Sequence, residues 1–248
     1  MGDSFSKNPF FFPLSGLASP KPNGLAAALL GIPTQSTKRR VFFSFHYDDI
    51  MRVNNVRNVW KIDHPDSALI RSFYDSSLWE SKKAEGDEAV KRLIREGVQN
   101  TSAVCVLVGT ETWSRRWVKY EIARSVVDER GLLAVHLNNL NHHRELKAHP
   151  LGFNPLHLLG VFRAPEGNFY LYEKRHVLKN YLTGEMAWEW WPYGDYQLPV
   201  TLPKYLSAPD VGYVRPLSAG ASEYDFVLQI GNKNLGAWID LAAQRVGR

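Results

Sequence analysis

One glutamate, Glu121, lies in a predicted helix that follows a buried strand, a position typical of a ligand-binding carboxylate. It ends the segment 117–121 (WVKYE), which has the character of the first turns of a helix, and the apolar stretch 102–108 before it predicts a buried strand. In open α/β folds, ligands bind at the carboxyl edge of the sheet, where such a helix begins. Alone, Glu121 would be interpreted as a solvated helix carboxylate. Its setting instead favours a functional group at a ligand cleft.

Polar side chains also follow the first predicted strand. Val41–Phe45 is a short apolar and aromatic run, and His46, Tyr47 and Asp48 come directly after it. These residues would line the cleft, with Phe45 or Tyr47 stacking on a ring of the ligand. The residues leave alternatives open: Phe45 as a core residue, Asp48 as a helix cap and His46 as a surface histidine.

The elements that must position these residues alternate between strands and helices. Strands are predicted at 41–45, 69–74, 103–108 and 132–137, and helices at 50–60, at 85–98 and around Glu121, with Ser114 as the N-cap of that last helix. This order predicts an α/β fold with a mostly parallel central sheet and helices on both faces. Further along, short strands at 158–162 and 169–173 would form a hairpin, and 232–246 a closing helix.

Composition excludes several classes of function. Residues 1–40 carry +4 of the formal net charge of +5, so the rest of the 248-residue chain is nearly neutral and lacks the basic footprint of a nucleic-acid-binding protein. No membrane span, Gly-x-Gly-x-x-Gly, P-loop or zinc spacing is found. The single cysteine, Cys105, is predicted to be a core residue of a cytoplasmic protein. We therefore expect no cofactor, metal, nucleic acid or membrane partner.

Five motifs occur in order and resemble one family. They are VFFSFHYD (41–48), NVRNVW (55–60), DSSLWE (75–80), TSAVCVLVG (101–109) and RRWVKYEI (115–122). Together they resemble the TIR-like domain of the ThsB family of the Thoeris antiphage system. The resemblance implies a flavodoxin-like TIR domain over 38–248, with a motif core at 38–145 and a divergent part at 146–248 packed on the same domain.

The resemblance also implies a reaction. Glu121 would be the catalytic residue that cleaves NAD⁺ between the nicotinamide nitrogen and the ribose. Because nicotinamide leaves as a neutral group, the carboxylate would stabilise an oxocarbenium-like ribose, and its place near a helix N-terminus would favour the ionised form. Trp117, and Asp75 and Trp79 in a loop that closes over the substrate, would contact NAD⁺, although Trp79 could equally be a core residue. Arg115 and Arg116 could meet the pyrophosphate; the alternative is a solvated basic pair, which is favoured slightly more for Arg116 than for Arg115.

The function implied by the family is signalling. On infection, sensed through an unknown phage-derived trigger, the enzyme would convert NAD⁺ to a cyclic ADP-ribose isomer or a related ADP-ribose signal that activates a ThsA effector, and it could form a homo-oligomer. The alternative is a non-catalytic TIR scaffold that acts by self-association. A phosphoacceptor receiver shares the topology, but it needs an aspartate at the end of the third strand, where this chain has Val108, Gly109 and Thr110.

The first 37 residues lie outside the resemblance and are predicted to be a flexible arm. They contain five prolines together with several glycines and serines, which interrupt regular structure. Deleting residues 1–37 should therefore shift the melting temperature by only a few degrees, on the scale of about 1 kcal/mol. Circular dichroism on the purified truncation checks this, and insoluble protein would show that the arm belongs to the core.

Overall fold

The computed structural model describes residues 39–63, 76–141, 146–180 and 183–248, with the backbone alone for residues 62–63, 76–80 and 180. Within these ranges the helices are α1 Ile50–Asp63, α2 Ser76–Glu85, α3 Asp87–Gln99, α4 Arg116–Val127 and α5 Gly231–Gln244. The strands are β1 Val41–Phe45, β2 Ala103–Val108, β3 Gly131–His136, β4 Leu159–Arg163, β5 Phe169–Asn180, β6 Glu185–Pro192, β7 Val214–Pro216 and β8 Ser222–Asp225.

The central sheet is parallel, with the strand order β1-β2-β3-β8. Helices α3 and α4 pack on one face and α1 and α5 on the other, so β2 and β3 are buried along their whole length. Burial on both faces explains why these strands read as continuous apolar runs rather than as alternating ones. The predicted flavodoxin-like α/β fold is confirmed.

The side chains of β1 point alternately towards α1 on one face of the sheet and towards α4 on the other. Phe43 belongs to the cluster on the α1 side, where it meets Trp60 edge to face with 6.3 Å between ring centroids. Phe42 belongs to the cluster on the α4 side. Because side chains alternate along a strand, Ser44 also faces α4. The one polar residue of β1 therefore points at the helix that carries Glu121.

A second sheet covers the α4 side of the domain. It is antiparallel, with the order β6-β5-β4-β7, and Leu159, Val161 and Leu171 pack into the same cluster as α4. The predicted hairpin between the strands now defined as β4 and β5 is confirmed. The strand β6 was not predicted, because its residues are exposed or half-buried and give no apolar alternation.

Two boundaries differ from the predictions. Residues 76–85 form a helix, α2, where a loop was expected, and Gly86 in the left-handed region (φ 104°) separates it from α3, which begins at Asp87 rather than at residue 85. The predicted strand at 69–74 lies outside the described residues, as does the arm 1–37. None of the helices in the described ranges is long and apolar enough to cross a membrane.

The predicted N-cap, Ser114, is wrong. Residues Thr112–Ser114 form a separate 3₁₀ turn in which the Ser114 hydroxyl donates to the carbonyl oxygen of Glu111 at 2.9 Å. Arg115 occupies the cap position of α4 and makes no side-chain cap hydrogen bond. The hydroxyl is used within the turn, so α4 begins without the cap that the sequence suggested.

Gly131 allows β3 to pass close to α5. A Cβ atom at this position would lie 2.5 Å from the backbone carbonyl of Ala242. We predict that Gly131→Ala lowers the free energy of unfolding by about 1–3 kcal/mol, because rigid backbone must move to make room. Urea denaturation measures the change. Gly194→Ala is the control, because its added methyl would meet nothing nearer than Arg175 Nη2 at 3.8 Å. Equal stability of the two variants would contradict the prediction.

Candidate active site

Glu121 points into the protein rather than at solvent. It lies in the second turn of α4, its side chain is 5% exposed, and its Oε2 accepts a hydrogen bond from Ser44 Oγ at 2.5 Å. Ser44 is the penultimate residue of β1, so the contact lies near the carboxyl edge of the parallel sheet. The predicted location of the carboxylate thus agrees with the structure. Ser44 was missed as a site residue, although a lone hydroxyl in an apolar strand was a signal for it.

The protonation state of Glu121 differs from the expectation. Burial raises its pKa to about 8, and the hydrogen bond from Ser44 opposes this only in part. As the sixth residue of α4, Glu121 lies beyond the first turn, where the helix field acts. Desolvation therefore outweighs the helix dipole, and the resting carboxyl group is mostly neutral at pH 7.

The residues after β1 differ in exposure: Tyr47 and Asp48 are exposed at the rim of the edge, whereas Asp49 is buried. Tyr47 is 58% exposed, and the Asp48 carboxylate is 82% exposed and lies 3.7 Å from His46 Nδ1. The side chain of His46 is mostly buried, and burial lowers its pKa, with a further contribution from the charge of Arg115. Neutral His46 thus stands near Arg115, on the rim of the edge that holds Glu121.

Asp49, which was not predicted as a site residue, is the buried carboxylate of this segment. Burial raises its pKa, and the nearby Arg52 guanidinium, whose Nη1 donates to Asp49 Oδ1 at 3.3 Å, opposes the shift. Arg52 Nε also donates to the carbonyl oxygen of Leu140 at 3.0 Å. The i,i+3 spacing of Asp49 and Arg52 was an available signal. The pair ties the end of β1 to the loop after β3, and it replaces Asp48 as the polar group that anchors this turn.

The other predicted site residues are not all brought together. Phe45 packs partly against the cluster on the α1 side, the face opposite Glu121, which fits its core interpretation. Trp117 packs on the α4 cluster and meets Tyr120 edge to face. The side chain of Trp79 and the whole of Asp75 lie outside the described residues.

The two arginines before and at the start of α4 have different surroundings. Arg116 is exposed, as expected, and it is also ion-paired, with Nη2 3.0 Å from Asp195 Oδ1 and Nη1 2.5 Å from Asp87 Oδ2. The half-buried Arg115 keeps a buried Nε that has no hydrogen-bond partner in the described part of the chain. Arg115 is therefore the better placed of the two to bind an anion.

A segment that sequence reasoning missed covers the end of β2. Thr110 Oγ1 donates to the carbonyl oxygen of Pro150 at 3.1 Å, and a Cβ on Gly152 would lie 1.8 Å from the carbonyl oxygen of Gly109. Residues 150–152 thus lie directly on the carboxyl edge. Within the described ranges, no cluster of three or more His, Cys, Asp or Glu is placed to hold a metal ion.

The raised pKa of Glu121 predicts a pH-dependent stability. Between its ordinary pKa of 4.5 and its folded value of about 8, the unfolded chain releases the proton while the folded chain keeps it. The contribution of this group to the free energy of unfolding is therefore full below pH 4.5 and is lost as the pH rises towards 8. Glu121→Gln removes this loss, so it should gain stability relative to the parent by up to about 1.4 kcal/mol per pH unit across the window.

Urea denaturation at several pH values between 5 and 8 measures this difference. Glu96→Gln is the control, because Glu96 is exposed on α3 and its replacement should leave the pH profile unchanged. Parallel profiles for Glu121→Gln and the parent would show that the carboxyl group is not held neutral.

Two comparisons place the chain among known proteins. A family model described as "Thoeris protein ThsB, TIR-like domain" matches residues 42–142. A protein of Bacillus cereus (strain MSX-D12) named "Putative cyclic ADP-D-ribose synthase ThsB1" is 35% identical over 206 residues, which cover 82% of this chain and 99% of that protein. A match of this length extends well beyond the motif core at 38–145, and so includes much of the part where the motifs fade. The chain belongs to the ThsB family of Thoeris proteins, which carry a TIR-like domain.

Proposed function

We propose that this protein is an enzyme that cleaves NAD⁺ at the bond between nicotinamide and ribose and makes a cyclic ADP-ribose isomer or a related ADP-ribose signal. The observation that carries the proposal is the buried carboxyl group of Glu121 at the carboxyl edge of the sheet, with Ser44 as its hydrogen-bond partner. The name of the Bacillus cereus relative, a cyclic ADP-D-ribose synthase, supports the same reaction.

Burial suits Glu121 to a cationic reaction. The nicotinamide ring of NAD⁺ is positively charged, and as the glycosidic bond breaks the charge passes to the ribose ring while nicotinamide leaves as a neutral molecule. No ion pair with Glu121 is found in the described ranges, so the ionised carboxylate would be an uncompensated buried anion. A bound cation supplies the missing charge and lowers the pKa of Glu121, so that substrate binding itself generates the anion. In a water-poor site that anion stabilises the oxocarbenium-like ribose strongly.

Ser44 and Arg115 have supporting roles in this proposal. The Ser44 hydroxyl fixes the orientation of the carboxyl group, because it is held in a strand that is hydrogen-bonded along its length to β2. The Arg115 guanidinium, with its unpartnered Nε, binds the pyrophosphate of NAD⁺. Neutral His46 lies near Arg115 and lines the same rim without adding a charge.

The closed site fits an enzyme that rests until it is triggered. Glu121 is 5% exposed, and residues 150–152 lie against the end of β2, so substrate reaches the carboxyl group after a local rearrangement. A phage-derived trigger, or self-association of the protein, would favour the open form. Exclusion of water also favours cyclisation, in which C1′ bonds to an atom of the same ADP-ribosyl group rather than to a water oxygen.

The catalytic role of Glu121 is tested by mass spectrometry of nucleotides. Purified protein is incubated with NAD⁺, with and without an extract of infected cells. Glu121→Gln should reduce turnover by about 10²-fold or more, because it removes the charge that stabilises the transition state. The exposed Glu96→Gln should act like the parent. Turnover by Glu121→Gln at the parent rate would remove Glu121 from the mechanism, and no turnover by any form under any trigger would favour the scaffold alternative.

The signalling output is tested separately. A protein-free filtrate from the activated enzyme should switch on a ThsA effector. A filtrate that holds only nicotinamide and linear ADP-ribose, and that leaves the effector inactive, would favour simple depletion of NAD⁺ over signalling.

A further inference from the structure

The β5–β6 hairpin runs along α4 towards the edge that holds the proposed active site. Lys119 Nζ in the first turns of α4 lies 3.5 Å from Glu173 Oε2 on β5. Further along the hairpin, Trp188 on β6 meets Trp113, which precedes the first residue of α4. Since α4 begins at the carboxyl edge of the parallel sheet, the direction from Lys119 to Trp113 carries the hairpin towards that edge.

An aromatic cluster forms where the hairpin passes the start of α4. His176 and Trp188 are cross-strand partners whose rings stack with centroids 4.9 Å apart and planes inclined by 22°. Trp113 meets Trp188 nearly edge to face, at 6.3 Å and 70°. Trp188 is 43% exposed, His176 is exposed and Trp113 is half-buried. The three rings are therefore in contact with one another and remain partly exposed to solvent.

Ion pairs hold the base of the hairpin in place. Asp195, three residues beyond the end of β6, lies 3.0 Å from Arg116 Nη2 on α4 and 3.0 Å from Lys91 Nζ on α3. Arg116 reaches Asp87 at the start of α3 as well. The hairpin is thus fastened to both helices beside the cluster, so the rings are positioned before any ligand arrives. Such preorganisation lowers the entropic cost of binding.

We propose that Trp113, Trp188 and His176 form a subsite for the adenine base of the nucleotide, an inference that rests on the proposed function. Glu121 is buried and would meet the cationic nicotinamide riboside end, so the other end of the dinucleotide lies towards the rim. Five residues of helix, about 7.5 Å, separate Glu121 from the start of α4, where the cluster stands. A purine ring stacks on the exposed part of this cluster, because flat aromatic rings stack on indole with little demand on hydrogen bonding.

The subsite also gives the hairpin a role in the choice of product. A base held at the rim by stacking remains close to the ribosyl cation after nicotinamide has left. The adenosine part of the same ADP-ribosyl group can then compete with water for C1′. Loss of the stack is therefore expected to reduce the ratio of cyclic to linear product as well as the affinity for substrate.

Binding is measured by isothermal titration calorimetry in the Glu121→Gln background, with and without extract of infected cells, so that turnover does not interfere. ADP-ribose contains the adenine base, whereas nicotinamide mononucleotide lacks it. Trp188→Ala should weaken ADP-ribose binding about 10-fold to 100-fold, leave nicotinamide mononucleotide binding unchanged, and be largely rescued by Trp188→Phe. The control is Trp191→Ala, because Trp191 is 45% exposed on the opposite face of β6. This variant should bind both probes as the parent does.

The outcomes separate this inference from the proposed function. Unchanged ADP-ribose affinity in Trp188→Ala, an equal loss for both probes, or no binding of ADP-ribose to the parent under either condition would overturn the subsite. If Trp188→Ala selectively loses ADP-ribose binding but the parent protein, with Glu121 intact, never consumes NAD⁺, the subsite is upheld and the proposed reaction is overturned. Melting temperatures of the three tryptophan variants confirm that each is folded.

Discussion

The site depends on the cost of burying the Glu121 carboxyl group. In the described residues it has a hydroxyl partner, Ser44, and no ion pair, so it is held neutral with a pKa of about 8. A neutral group is cheap to bury, whereas the anion is stable there only beside a cation. In the proposed function, the same desolvation that keeps the resting carboxyl group neutral makes it respond strongly to a positively charged substrate. The cost of burying one charge would then account both for a quiet resting state and for a strong interaction with a ribosyl cation.

Positioning that carboxyl group explains much of the surrounding architecture. Ser44 reaches α4 because β1 is registered against β2 and alternates its side chains between the two faces. The turn after β1 is fixed by Asp49, whose carboxylate sits against Gly109, where a Cβ atom would lie 1.9 Å from Asp49 Oδ2. Arg52 continues the tie to the loop after β3. At the carboxyl edge of the parallel sheet, the loops after β1, β2 and β3 are therefore joined by buried polar contacts. These contacts keep the edge closed without a large apolar lid.

The fold was predictable from the sequence where burial imposes a simple pattern. β2 and the helix α3 show continuous apolar residues and helical spacing, and both are found within two residues of their predicted bounds. The site was harder to predict. The local pattern indicates the position of Glu121, but the protonation state of its carboxyl group depends on burial, which no short motif encodes. Asp48 and Asp49 are adjacent and chemically identical, and the path of the turn alone decides which is buried. β6 escaped prediction because its side chains are exposed or half-buried, so hydrophobic periodicity is absent.

In the proposed function, the two sheets have different roles: the parallel sheet carries the groups for bond cleavage, and the antiparallel sheet contributes to substrate binding. The parallel sheet supplies Ser44 and the helix of Glu121, and buried parallel strands tolerate few changes because both faces are packed. The hairpin β5–β6 joins that core mainly through the base of the strands and through ion pairs, so its outer residues, such as Trp188, can change without disturbing the packing around Glu121. Bond cleavage demands a fixed carboxylate, whereas the fate of the ribosyl cation depends on what stands beside it. With the proposed subsite on the hairpin, the exposed aromatic residues of β5 and β6 are the part of this fold in which product specificity can vary while the cleavage step is kept.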